Sequence, residues 1–168
     1  DPAPRPSPTN TPTPTPTPTP IPVILADGDY NGDGTSDIAV FRPASGMWAI
    51  RSVSILYFGS SADYPAPGDF DADGTADAAV FRPASGMWSV RNVTRAYFGG
   101  SSDQPIPGDY DGDGGDEIGV FRPAQSQWAI LDFTRCYFGA SSDIPAPGDY
   151  DGDGTADIAL FRKSGGMW

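Results

Sequence analysis

The sequence predicts an all-β fold built as a repeat array, and three observations carry that expectation. Nearly identical segments opening at Asp29, Asp69, Asp109 and Asp149 recur at a constant spacing of 40 residues. Each unit holds four short extended stretches separated by Gly, Pro, Ser and Asp turn clusters. The second stretch of each unit, Ile38 to Phe41, Ala78 to Phe81, Ile118 to Phe121 and Ile158 to Phe161, is apolar on both pleat faces, as an inner strand covered on both sides must be. Four strands in 40 residues fit one propeller blade better than a solenoid rung of roughly 20 to 30 residues. The expected architecture is therefore a β-propeller-like array of four-stranded blades, about 3.7 repeats over residues 23–168. Its units run over about 23–64, 65–104, 105–144 and an incomplete 145–168.

Residues 1–22 precede the array and contain ten of the chain's 19 prolines, with strict Thr/Pro alternation from Thr11 to Pro20. Such a segment can neither form a helix nor pair as a central strand, so it is expected to be an extended polyproline II stalk or linker. Thr/Pro alternation is also the composition of O-glycosylated stalks, which makes Thr9, Thr11, Thr13, Thr15, Thr17 and Thr19 candidate acceptors. Ile21 to Leu25 is the most apolar stretch outside the repeats and is expected to lack a partner within the first unit. No stretch has the charged and apolar regions of a signal peptide, and none approaches the ~20 apolar residues that span a bilayer. Membrane insertion is not expected.

Within a unit, Pro83-Ala84-Ser85-Gly86 reads as a type I turn followed by a left-handed Gly, closing a hairpin. The third and fourth units change this turn, at Gln127 and at Lys163. Trp88 to Arg91 alternates and is expected to be half exposed. Tyr57-Phe58-Gly59, Tyr97-Phe98-Gly99 and Tyr137-Phe138-Gly139 read as packing strands. Cys136 stands where sister units have Leu56 and Ala96, so it reads as a buried small hydrophobe.

Composition removes several function classes. The chain has no His, one Lys and one Cys, which excludes a hydrolytic triad. A net charge of −12 opposes binding to nucleic acid or anionic lipid. All but one of the 22 acids are Asp, the exception being Glu117, a bias that solubility alone does not require.

The Asp bias resolves into four nine-residue loops with oxygen ligands at positions 1, 3, 5 and 9. The first offers Asp29, Asn31, Asp33 and Asp37, and the second Asp69, Asp71, Asp73 and Asp77. The third offers Asp109, Asp111, Asp113 and Glu117, and the fourth Asp149, Asp151, Asp153 and Asp157. Gly34, Gly74, Gly114 and Gly154 take the sharp turn at position 6, and carbonyls of Thr35, Thr75, Gly115 and Thr155 at position 7 would add a ligand. An all-oxygen, carboxylate-rich donor set selects Ca²⁺ over transition metals and over Mg²⁺, which keeps its waters. About four ions are expected, one per loop. An EF-hand does not fit, because its position-12 Glu is replaced by Val40, Val80, Val120 and Leu160. Bare Asp-Gly turns are the competing reading, and the mutual repulsion of clustered carboxylates counts against it. Four Ca²⁺ carry +8 and would move the formal charge from −12 to −4.

The segments Gly68-Asp69-Phe70-Asp71-Ala72-Asp73-Gly74-Thr75-Ala76-Asp77 and Phe81-Arg82-Pro83 resemble FG-GAP or VCBS-type repeats, the calcium-binding blades of the integrin α-subunit propeller and of many secreted bacterial proteins. The resemblance spans residues 23–168. It implies a propeller, an extracellular or cell-surface location, calcium, and adhesion or carbohydrate contact rather than catalysis. Propellers of the family usually close with about seven blades, more than the units present here.

Arg42, Arg82, Arg122 and Arg162 end the second stretch of each unit, and Trp48, Trp88, Trp128 and Trp168 follow six residues later. Arg42–Trp48, Arg82–Trp88 and Arg122–Trp128 could form a sugar-binding shelf; a structural stack, with Arg over an aromatic ring or paired to an Asp, is the favoured alternative. An Asp-pair glycosidase is weak, because almost every Asp outside the loops belongs to a repeated Ser-Ser-Asp or Ser-Ala-Asp segment. Asn92-Val93-Thr94 is a single glycosylation sequon. The sequence thus points to a non-catalytic extracellular calcium-binding repeat protein in adhesion or structure, with a lectin as the alternative. An open edge at the last unit and the apolar Ile21 to Leu25 further suggest head-to-tail self-association into an oligomer or filament.

Overall fold

The computed structural model describes residues 23–25 and 28–168, which form four antiparallel sheets. Sheet 1 runs in chain order through β1 (Val23–Leu25), β2 (Ala39–Arg42), β3 (Met47–Ile50) and β4 (Ser54–Tyr57). Sheet 2 repeats this with β5 (Tyr64–Pro65), β6 (Ala79–Arg82), β7 (Met87–Val90) and β8 (Thr94–Tyr97). Sheet 3 does so with β9 (Gln104–Pro105), β10 (Gly119–Arg122), β11 (Gln127–Ile130) and β12 (Thr134–Tyr137). Sheet 4 comprises β13 (Ile144–Pro145) and β14 (Leu160–Phe161), extended by a bridge between Arg162 and Met167. Among the described residues the only helical element is a 3-10 turn at Pro123–Gln125, and no helix is long and apolar enough to cross a membrane. The Pro-rich segment and its threonines, Thr9 to Thr19, lie outside the described residues.

The chain expected to lack a partner has one. Val23, Ile24 and Leu25 pair with Phe41, Val40 and Ala39, so β1 occupies in sheet 1 the place that β5 and β9 take in the next two. The alternation of Pro and apolar residues hid this, because β1 reads Val-Ile-Leu where the later units read Tyr-Pro, Gln-Pro and Ile-Pro.

Turn chemistry closes each meander. Gly46 and Gly86 sit at φ 64° and 65°, and Ser126, not Gln127, takes the same left-handed place in the third unit at φ 51°. The carbonyls of these three residues accept the N–H of Phe58, Phe98 and Phe138 at 2.7, 2.8 and 3.0 Å, pinning the fourth strand to the first turn. The opposite turn places Ser52, Asn92 and Asp132 at φ 62°, 64° and 58°, which Asn and Asp tolerate better than most residues. The backbone thus accounts for Asn92 without any modification of its sequon.

The core lies between sheets. The face bearing Phe41, Trp48, Leu56 and Phe58 packs on Ala78 and Val80 of sheet 2. Phe81, Trp88, Ala96 and Phe98 pack on Ile118, Val120 and Ala129 of sheet 3, and Phe121, Trp128 and Cys136 pack on Ile158 and Leu160 of sheet 4. Each indole N–H, at Trp48, Trp88 and Trp128, donates to the carbonyl of Phe58, Phe98 and Phe138 at 2.9, 3.0 and 3.3 Å. Covering on both faces explains why β7 is buried throughout rather than half exposed as its alternation suggests. The Tyr-Phe-Gly segments split: Phe58 and Phe98 are half-buried, whereas Tyr57, Tyr97 and Tyr137 are 70%, 70% and 73% exposed on the outermost strands.

Gly99 shows how closely the sheets approach. It lies at φ 104°, and a Cβ there would come within 3.0 Å of Val120 and 3.3 Å of Phe81. Gly99→Ala is expected to destabilise the chain by about 2 kcal/mol, through left-handed strain and overpacking. Gly100→Ala meets nothing within 4 Å and is expected to leave the urea midpoint unchanged, which makes it the matched control.

Candidate metal centre

Each Asp loop is the connection between the first and second strands of its sheet. Its ends are tied by a hydrogen bond from the N–H of position 9 to the Gly carbonyl just before position 1: Asp37 to Gly28 at 2.8 Å, Asp77 to Gly68 at 2.6 Å, and Glu117 to Gly108 and Asp157 to Gly148 at 2.9 Å. Inside, position 1 organises the backbone. Asp29 Oδ1 accepts Gly32 N–H and its Oδ2 accepts Gly34 N–H, both at 2.7 Å, and Asp149 repeats the pattern with Gly152 and Gly154 at 2.7 and 3.1 Å. These bonds require left-handed residues at position 6, supplied by Gly34, Gly74, Gly114 and Gly154 at φ 83° to 93°. Position 4 is left-handed too, including Ala72 at φ 56°, a requirement the sequence reading missed. Position 9 accepts the N–H of position 2, as in Tyr30 to Asp37 at 2.9 Å and Tyr110 to Glu117 at 2.8 Å.

Positions 1, 3 and 9 converge. One carboxylate oxygen each from Asp69, Asp71 and Asp77 lie within 4.8 Å of one another, and so do those of Asp109, Asp111 and Glu117 and of Asp149, Asp151 and Asp157. In the first loop position 3 is an amide, and Asn31 Nδ2 donates to both oxygens of Asp37 at 3.1 Å, placing positive hydrogen where the other loops gather only negative oxygen. Position 5 does not join the cluster. Asp33, Asp73 and Asp153 turn instead to the Thr at position 7, whose N–H and hydroxyl they accept at 2.5 to 2.9 Å, and Asp113 accepts Gly115 N–H at 2.9 Å.

The electrostatics differ along the loop. Backbone N–H groups, led by that of Gly34, hold Asp29 below the ordinary carboxylate value, and Thr hydroxyls do the same for Asp33 and Asp153. At position 9, burial and then the neighbouring carboxylates push Asp77 and Glu117 up. In the second and third loops the carboxylates at the inner end therefore disfavour one another, and the position-2 N–H only partly offsets this.

Neighbouring loops are stacked. The carbonyl of position 1 accepts the N–H of position 8 in the next loop, Asp29 from Ala76 at 2.7 Å and Asp69 from Asp116 and Asp109 from Ala156 at 2.6 Å. Position 8 packs on the Gly that precedes the earlier loop, and a Cβ on Gly28 or Gly108 would lie 2.9 or 3.0 Å from Ala76 or Ala156. Asp116 alone brings a carboxylate to this place. Its Oδ2 accepts Asp69 N–H at 3.0 Å, in the preceding loop, and burial pushes its pKa up to about 6.

The Arg and Trp residues are placed apart. Trp48, Trp88 and Trp128 are 0% exposed and offer no face to a sugar. Arg82, Arg122 and Arg162 pair with Asp63, Asp103 and Asp143 of the Ser-Ala-Asp and Ser-Ser-Asp segments, at 2.7, 3.3 and 2.7 Å. Arg122 also lies 5.8 Å from the Phe98 ring centroid. Arg42 is exposed, and the position matching Asp63 in its unit is Val23. The shelf expected from Arg42–Trp48, Arg82–Trp88 and Arg122–Trp128 is thus a packing and ion-pair device. A scan against protein-family models and searches of curated proteins and of solved structures find no match to this chain.

Proposed function

We propose that this chain is a non-catalytic extracellular calcium-binding repeat protein, whose sheets are blades of a propeller-like array of the FG-GAP or VCBS type, serving surface adhesion or structure. The observation that carries the reading is the convergence of positions 1, 3 and 9 in three successive loops. Three carboxylates held so close repel one another without a cation. Oxygen donors alone, with no His and no thiol in the loops, suit Ca²⁺.

Asp69, Asp71 and Asp77 would hold the ion in the second loop, Asp109, Asp111 and Glu117 in the third, and Asp149, Asp151 and Asp157 in the fourth. Asp73 and its counterparts would join the shell only by releasing their bonds to the position-7 residue, and in the first loop Asn31 would join only with its amide oxygen turned inward. Extracellular calcium modules bind at roughly 10⁻⁴ to 10⁻³ M, and that is the range expected of these loops on this reading. No arrangement among the described residues favours a lectin or an Asp-pair hydrolase.

The two kinds of ligand position separate in one experiment. Asp71 is exposed and sits in the carboxylate cluster, so Asp71→Asn removes one of three repelling charges and is expected to hold or slightly raise the melting temperature in EDTA while removing roughly 1 kcal/mol of the calcium-dependent gain. Asp69 also accepts the N–H of Asp73 and Gly74 at 3.1 and 2.8 Å, so Asp69→Ala is expected to lower stability in EDTA as well, by about 1–2 kcal/mol. Identical calcium-dependent shifts in wild type and Asp71→Asn would contradict the assignment.

A further inference from the structure

The outermost strands of the first three sheets vary along their length and yet end alike. They read Ser54-Ile55-Leu56-Tyr57, Thr94-Arg95-Ala96-Tyr97 and Thr134-Arg135-Cys136-Tyr137, so that even the half-buried Leu56, Ala96 and Cys136 differ while each strand closes on Tyr. Packing explains a repeated side chain that is buried, such as Trp48, Trp88 and Trp128. It does not explain these tyrosines, which lie 70%, 70% and 73% exposed. A large aromatic repeated in the open marks a contact surface.

Each tyrosine ends a cross-strand row, lying opposite Met47, Met87 or Gln127, which in turn lie opposite Arg42, Arg82 or Arg122. Arg82 and Arg122 are neutralised by Asp63 and Asp103. The second and third rows therefore offer ring faces and polar donors with little net charge. In the third, Gln127 Nε2 donates to the Tyr137 hydroxyl at 2.9 Å, which leaves that hydroxyl's own proton to donate elsewhere.

Polyproline II suits such a surface, because proline rings pack on aromatic faces and its carbonyls, free of internal hydrogen bonds, accept from surrounding donors. The chain carries a segment of that composition, uncharged from Pro6 to Pro22 and strictly Thr/Pro from Thr11 to Pro20. It joins the sheets at the matching end. Val23 pairs with Phe41, next to Arg42, and so lies at the end of sheet 1 where the row of Arg42, Met47 and Tyr57 runs. Crossing sheet 1 from β1 to β4 takes three strand spacings, ~14 Å, or about five residues at ~3.1 Å each. Stacked sheets lie ~10 Å apart and one three-residue turn of polyproline II advances ~9 Å, so about seven residues more run from Tyr57 past Tyr97 to Tyr137. Counted back from Pro22, about twelve residues end at Thr11, where the alternation begins.

We infer that the Thr/Pro tract docks on the Tyr57/Tyr97/Tyr137 row of its own chain, its prolines against the rings and its carbonyls accepting from the tyrosine hydroxyls. The docking needs no calcium in the loops and stands apart from the metal assignment.

Nitration by tetranitromethane, mapped residue by residue on the 168-residue chain at micromolar concentration, tests this. Replacing Pro14→Gly, Pro16→Gly and Pro18→Gly together removes rings and stiffness from the tract. That variant is expected to nitrate Tyr57, Tyr97 and Tyr137 at least threefold faster than wild type, with Tyr150, 61% exposed on the fourth Asp loop, unchanged. A free peptide of the sequence Thr11 to Pro20, added in millimolar excess, is expected to restore the protection. Tyr97→Ala, at an exposed strand end, is expected to keep the melting temperature of wild type and to speed nitration of Tyr57 and Tyr137. Equal rates in wild type and the triple variant overturn the docking, and so does an equal rise at Tyr150, which reports general loosening. Protection that disappears on tenfold dilution also overturns it, since the occupant is then the tract of a second copy. Calcium binding is read by titration, so either result leaves the other in place.

Discussion

Chelation with excess EDTA is expected to lower the melting temperature by about 10 °C relative to millimolar CaCl₂. At calcium a few-fold above dissociation constants of roughly 10⁻⁴ to 10⁻³ M, each loop contributes about 1 kcal/mol by mass action. The four loops together supply about 4 kcal/mol, and a chain of this size shifts by roughly 2–4 °C per kcal/mol. The loops join the first two strands of every sheet and hydrogen-bond to their neighbours through Asp29, Asp69 and Asp109. Their loosening is therefore expected to be felt across the array rather than locally. Magnesium at the same concentration is expected to restore little, since its octahedral, water-keeping coordination suits these loops poorly. Equal melting temperatures in EDTA and in calcium would remove the basis for the metal.

The second large effect is an asymmetry within an ion pair. Asp63 has a fully buried side chain, whereas that of Arg82 is 38% exposed. Arg82→Ala leaves a carboxylate buried without its cation and is expected to cost about 2–3 kcal/mol, below the usual range for a fully buried pair because Arg82 reaches water. Asp63→Asn leaves a guanidinium that can turn to solvent and is expected to cost about 1 kcal/mol. Arg42→Ala, in the unit whose matching residue is Val23, is expected to change stability by less than about 0.5 kcal/mol. The pH dependence follows. Burial pushes the Asp63 carboxyl up, but Arg82 and Ser60 outweigh it and leave the pKa below the ordinary 3.8, and Arg162 holds Asp143 below the same value. Groups lowered on folding contribute stability above pH 3.8 that is lost as pH falls through their folded-state values. In EDTA, urea midpoints are thus expected to rise as pH falls from 7 toward 4, because Asp116, raised to about 6, and the raised Asp77 and Glu117 bind protons more tightly in the folded chain. They are expected to fall below about pH 4 as Asp63 and Asp143 protonate, with a shallower acid slope in Arg82→Ala. A steeper slope in that variant would contradict the pairing.

The loops were legible because spacing carried them: oxygen donors at alternate positions, with Gly at position 6, specify which side chains can converge. Positions 1, 3 and 9 do so, while the turn of Asp73 toward Thr75 could not be read from spacing, since both arrangements use the same residues. The strand count per unit was legible from turn residues and from the apolar second stretch. What failed was the reading of faces. Trp88 and Arg82 seemed adjacent enough for a shelf, yet Trp88 lies in register with Phe81, one residue before Arg82. One residue of register places the guanidinium and the indole on opposite faces of the sheet. Tyr97 lies one step past the row of Trp88 and Ala96 that packs on sheet 3, and on the outermost strand its side chain is left exposed. The pairing of β1 was hidden by local composition, because a Val-Ile-Leu strand and a Tyr-Pro strand look unlike although they serve one position.

Calorimetric titration of the chelated 168-residue chain with CaCl₂ tests the central claim most directly. The account predicts saturable binding of about four Ca²⁺ per chain, three sites of similar affinity and a weaker one at the first loop, where Asn31 replaces a carboxylate. Asp71→Asn is expected to weaken or remove one of them. No heat of binding in the millimolar range, or a stoichiometry unaffected by Asp71→Asn, would contradict it.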